Sequence, residues 1–146
     1  MLAKINGWLD RLSPLGLLAL RVVVGVIMVA HGFPKVENSQ QLQAHVGFVH
    51  SLGFPAFMGY VSAFTELIGG ALLILGLLTR FAAIAVAINM FVAFYYVHFS
   101  HGMKGPQGYE FSLLLMVSAF ALVTLGPGPL ALDRWLGGAG KRKKKA

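Results

Sequence analysis

Four stretches of this chain are almost wholly apolar, at about 15–33, 57–78, 81–99 and 109–125. Each approaches the roughly 20 residues that a helix needs to cross ~30 Å of hydrocarbon. None alternates in the manner of a barrel strand. Composition excludes the soluble alternative. The chain is 57% hydrophobic and only 12% charged, about half the charge that covers an ordinary soluble domain. The runs predict an all-α integral membrane four-helix bundle. It fills residues 1–136 as one domain, followed by a basic tail at 137–146.

The punctuation between the runs fits. Ser13-Pro14 can open the first helix, with Ser as cap and Pro at the first helical position, and Pro34 can end it. Thr79-Arg80 is too short for anything but an antiparallel turn. Gly102 to Gly108 reads as a flexible loop, and "GPGP" at 126–129 stops the fourth helix. Within the loop from Pro34 to Ala56, Leu42, Val46, Val49 and Leu52 recur at near-helical spacing before Gly53. That stretch is either a short amphipathic helix at the interface or a plain loop.

Lys and Arg are distributed unevenly. Lys4, Arg11, Arg80, Arg134 and the tail "KRKKK" fall on one side of the predicted membrane, and only Lys35 and Lys104 on the other. Both termini are therefore expected in the cytoplasm, in a multi-pass protein of the bacterial inner membrane. Six of the twelve Lys and Arg lie from Arg134 onward, so the net charge of +7 is largely a tail. A tail of this kind fits anionic lipid. It lacks the folded or aromatic platform that nucleic acid would require.

The chain has no cysteine, which removes disulfides, thiolate metal sites and dithiol chemistry. His98-x-x-His101 and His45-x4-His50 lack a carboxylate partner pattern, so no metal is expected. What stands out instead is ionisable residues inside apolar runs. Counted at 1.5 Å per residue, Arg21 lies roughly 9 Å into the first helix, Glu66 roughly 13 Å into the second and Asn89 roughly 12 Å into the third. A charge at such depth is costly unless paired. Arg21 can pair with Glu66, with Asn89 taking spare hydrogen bonds, or it can snorkel to the interface.

A second polar layer is predicted nearer the other face. His31 and His98 end their helices there and Glu110 begins the fourth. Glu110 suits a helix N-terminus electrostatically, and the histidines suit an interface, so a structural reading is open for all three. The functional reading makes Arg21, His31, Glu66, Asn89, His98 and Glu110 a candidate ligand site. Such groups, with apolar walls, can hold a quinone head or relay protons.

The same residues carry a family resemblance. "LRVVVGVIMVAHGFPKV", with Arg21, Gly25, Gly32 and Lys35, is one matching piece. The others are "ELIGGALLILGLLTR", Glu110, and "GPGPLALDR" with Asp133. Over Leu17 to Asp133 the chain resembles the DoxX family of small bacterial membrane proteins. That resemblance implies a four-helix inner-membrane protein and a role beside an oxidoreductase. It transfers no catalytic residue. With no flavin, nicotinamide or iron–sulfur motif in the sequence and no covalently bound cofactor expected, quinone itself or a partner would have to supply the redox centre. Two functions follow. One is a membrane subunit of a quinone-linked oxidoreductase. The other is a non-catalytic accessory subunit packed against other membrane subunits or copies of itself.

Overall fold

The computed structural model describes residues 2–142, with side chains described over 9–137. It contains helices α1 (Leu2–Val36), α2 (Ser39–Ser51), α3 (Phe57–Leu75) and α4 (Thr79–His101), α5 (Glu110–Leu125) and α6 (Leu132–Arg142). No strand occurs among the described residues. Three helices, α1, α3 and α4, are long and apolar enough to cross a membrane. The apolar α5 has 16 residues, about 24 Å of helix.

The helices pack with small residues inside and large ones outside. Ala82, Ala83, Val86, Leu115, Ala119 and Leu122 hold α4 against α5. Val26, Ile68, Ile84, Ile88 and Leu114 are exposed on the outer surface. This arrangement suits a lipid solvent, in which association rests on close backbone approach rather than on hiding apolar area.

Glycine sets the closest approach, between α1 and the antiparallel α3. A Cβ on Gly70 would sit 2.7 Å from the Gly25 carbonyl, and one on Gly25 would sit 2.6 Å from that of Gly70. Both obstacles are backbone, so neither can swing aside. Gly70→Val should therefore destabilise the bundle by about 1–3 kcal/mol through overpacking, read as a lower unfolding midpoint in detergent.

Both α3 and α4 contain a π-helical segment, Thr65–Gly69 and Ala93–His98. Each holds one extra residue per turn, the kind of irregularity that often marks a functional site. Between the two helices, Gly76 adopts φ 68°. Its N–H bonds the Leu73 carbonyl and that of Leu77 bonds Leu72, closing α3 with a Schellman turn.

Several boundaries differ from the sequence reading. The first helix starts at Leu2 and runs through Ser13-Pro14 and Pro34. Proline costs one backbone bond and does not stop a helix whose neighbours hold it. The stretch left open as helix or loop is α2, capped by Asn38, whose Oδ1 accepts from the Gln41 N–H at 2.9 Å. Val46 and Val49 are buried where α2 lies on Gly59 of α3. The stretch beyond the "GPGP" turn forms α6. The side chains of Lys4 and of the cluster at 141–145 lie outside the described residues.

At the α6 end of the bundle, Arg21 is 1% exposed. Its Nη1 donates to the Pro127 carbonyl at 2.7 Å and its Nη2 to that of Leu130 at 2.9 Å. Asp133 accepts from the backbone N–H groups of Leu78 at 2.6 Å and Thr79 at 2.8 Å, capping α4 from another helix. Burial alone would raise the Asp133 carboxyl, but these N–H groups and the nearby Arg21 charge outweigh it and hold it below its ordinary value. A depressed carboxylate stabilises the fold above its unfolded pKa, and that contribution is lost as pH falls through the folded value. Wild-type protein should therefore lose stability on acidification below the ordinary carboxylate range. Asp133→Asn should lose about 1 kcal/mol at neutral pH and show a shallower acid limb in pH-dependent melting.

Candidate functional site

The register of α1 against α3 decides which polar groups meet. A Cβ on Gly32 would lie 2.5 Å from the Leu67 nitrogen and 2.9 Å from Glu66. Glu66 is thus level with Gly32, 11 residues and about 16 Å along α1 from Arg21. The expected Arg21–Glu66 pair is not made. The first helix, expected to end at Phe33, continues to Val36, and its Lys35 reaches Glu66.

Glu66 is 4% exposed and sits in the π segment of α3. Its Oε2 accepts a charge-assisted hydrogen bond from Lys35 Nζ. Its Oε1 accepts from Asn89 Nδ2 of α4 at 3.1 Å. Both carboxylate oxygens are thus partnered, and this is what keeps a carboxylate in an apolar helix. Nearby, His45 Nε2 of α2 lies 3.3 Å from Ser62 Oγ. Burial and then Lys35 push the His45 imidazole below its ordinary value, with Glu66 opposing, so the ring is neutral at physiological pH.

Two cavities meet at this group. The first, about 440 Å³, has a polar floor of Lys35, His45, Ser62, Glu66 and Asn89, and His98 also lines it. Its walls are apolar, among them Phe48, Leu52, Val61, Ala85, Ile88 and Val92. Phe48, Val61 and Ile88 are also exposed on the outer surface, so the cavity opens sideways between α2, α3 and α4, toward where lipid would lie. The second, about 390 Å³, is lined by His31, Lys35, Glu66, His98 and Glu110, and by Gly105, Pro106 and Gly108 of the α4–α5 loop. His98 is tied to that loop through Nδ1, 2.8 Å from the Gln107 carbonyl.

The structure thus gathers five of the six residues singled out in the sequence around one place. Glu66, Asn89 and His98 line the first cavity. His31 and Glu110 line the second and are exposed. Arg21 lines neither and belongs to the α6 end. Lys35 and His45 are members that the candidate set lacked. The α2 pattern held the signal for His45, which lies three residues after Leu42 and four before Val49 and so shares their inward face. Among the described residues, no three of His, Asp or Glu are grouped to hold a metal ion.

An aromatic band surrounds the same end. Phe94 stacks edge-on to Tyr109 at 5.2 Å, Tyr95 lies 5.9 Å from Phe99, and Phe54 lies 4.9 Å from Tyr96. Such belts sit at headgroup level.

Comparison with known proteins agrees with this architecture. The family model described as DoxX matches residues 16–99. The Bacillus subtilis protein named "Putative oxidoreductase CatD" is 37% identical over 119 residues, covering 82% of this chain and 85% of its own length. An uncharacterized membrane protein of Mycobacterium tuberculosis is 29% identical, covering 85% and 83%. The inner membrane protein YqjF of Escherichia coli is 26% identical, covering 88% and 97%. No solved structure matches the chain.

Proposed function

The chain belongs to the DoxX family of membrane proteins, and from that premise we propose that it binds the head group of a membrane-dissolved quinone in the first cavity, as a membrane subunit of an oxidoreductase assembly. The observation that carries this reading is a single chamber with apolar walls, a lateral opening and a floor of Lys35, Glu66 and Asn89.

The residues fit such a ligand. A quinone head needs hydrogen-bond donors at its two carbonyl oxygens and apolar surface along its ring and tail. Lys35 carries three N–H donors and spends one on Glu66; Asn89 carries two and also spends one. Phe48, Val61 and Ile88 can flank a tail that remains in lipid. A quinone supplies two-electron, two-proton chemistry. The chain supplies binding, orientation and a carboxylate able to exchange a proton, while electrons come from a partner subunit. In this reading both termini are cytoplasmic in the bacterial inner membrane. Leu132, Trp135 and Leu136, exposed on α6, rest in the cytoplasmic leaflet beside the basic tail.

Filling the chamber tests the proposal. Ala85 lines it and makes no contact with Glu66 through a hydrogen bond. Ala85→Phe should weaken binding of a short-chain quinone at least about tenfold while the protein stays folded. Binding measured by calorimetry in nanodiscs, unchanged in that variant, would remove the cavity from the mechanism.

A second reading is an accessory subunit whose polar group is structural. The exposed row of Phe91, Tyr95 and Phe99 on α4 favours it, since aromatic side chains are common at interfaces. Purification in mild detergent separates the two. Stoichiometric quinone without a protein partner supports binding, and a stable complex without any small molecule supports the accessory role.

A further inference from the structure

The two cavities differ in chemistry although they touch. The first is mostly apolar. The second brings His31, Lys35, Glu66, His98 and Glu110 to its wall. Lys35, Glu66, Ala93 and His98 belong to both. We infer that the second cavity is a proton passage joining the Glu66 carboxylate to the aqueous phase at the α2 end, with His98 as its relay. This deepens the quinone reading by naming the proton side of the same site, and rests on it only for the group that finally receives the proton.

Space and hydrogen bonding both suit the role. A volume of about 390 Å³ holds on the order of ten waters at ~30 Å³ each. The loop residues Gly105, Pro106 and Gly108 form part of the wall, so the passage reaches the end of the bundle. Glu110, exposed in the first turn of α5, stands at that end.

His98 has a defined tautomer. Its Nδ1 lies 2.8 Å from the Gln107 carbonyl. A carbonyl only accepts, so Nδ1 carries the hydrogen, and the neutral ring keeps Nε2 as its acceptor. A proton from water binds Nε2 and makes an imidazolium still held by the same carbonyl. The Nε2–H proton then passes, through water, to the Glu66 carboxylate. The ring returns to its first tautomer, and no electron moves.

The pH response belongs to a cluster rather than to one group. Glu66 faces Lys35 and His31 from α1, His45 from α2, Asn89 and His98 from α4 and Glu110 from α5.

The test follows the carboxyl itself and needs no quinone. Full-length protein in nanodiscs is given a pH jump, and the carboxyl C=O stretch is followed by infrared spectroscopy. Glu66→Gln identifies the band. Ser112 is buried and lines the second cavity but not the first. Ser112→Phe should slow Glu66 protonation about tenfold or more while short-chain quinone binding keeps its Kd. His98→Gln should slow it as well, and serves as the second variant if Ser112→Phe does not fold. Unchanged rates in whichever of these variants fold, or no Glu66 band that responds to pH, would overturn the passage. Failure of the quinone reading looks different: protonation and its slowing persist, and no variant binds quinone.

Discussion

Replacing Arg21 by Met should cost the bundle about 3 kcal/mol and leave quinone binding per folded molecule where it was. The guanidinium donates to the carbonyls of Pro127 and Leu130 and is 1% exposed. Met fills much of the volume but offers no donor, so two carbonyls in the turn after α5 lose a charged partner. The α6 end should loosen first, since Asp133 of α6 relies on the same neighbourhood to cap α4. Arg21→Lys should recover only part of the loss, because one ammonium cannot reproduce a fork that reaches two carbonyls. Thermal unfolding in detergent reads the stability, and a binding titration on the folded fraction reads the site. A specific loss of affinity at intact stability would return Arg21 to the ligand set.

The second large effect concerns Lys35. Lys35→Met removes the cationic partner of a carboxylate that is 4% exposed. Breaking a fully enclosed pair costs about 3–5 kcal/mol. Here about 2–3 kcal/mol is expected, because the Lys35 side chain keeps 28% of its exposure. Adding Glu66→Gln should return much of that stability, since an amide needs no counter-charge. Quinone binding should not return, because both the ammonium donor and the carboxylate are gone. A double-mutant cycle therefore separates folding from binding at this pair. Non-additive stability together with a persistent binding defect is the expected pattern. Equal recovery of both would make the pair purely structural.

Much of the architecture could be read from residue types alone. Apolar runs over 57–78 and 81–99 mark α3 and α4, because a helix satisfies its own backbone in lipid and the runs lack the alternation of a barrel strand. The period of Leu42, Val46, Val49 and Leu52 marks α2. What the sequence hid was register. Proline at 14 and 34 looked like punctuation, yet α1 passes through both. The packing of α3 on α1 puts Glu66 level with Gly32, far from Arg21 and within reach of Lys35. Local pattern cannot supply that offset, because it is set by glycines on two helices meeting at Gly25 and Gly70. The π segments were equally silent, since TELIG and AFYYVH carry no mark of an added residue. Lys35 belongs to the family pattern, yet in the sequence it counts only toward the charge asymmetry across the membrane.

The π segment of α3 has a consequence for how such a protein can change. It carries Glu66 of the polar floor and ends just before the glycine contact at Gly70. The added residue breaks the 3.6-residue cadence, so the chamber-facing residues before Thr65 are indexed separately from the α1 contact at Gly70. Residues that face the chamber, such as Ser62 and Val61, can then be exchanged without re-indexing the seam beyond Gly70. A scaffold built with that kind of clutch can acquire a new specificity and keep its old chassis.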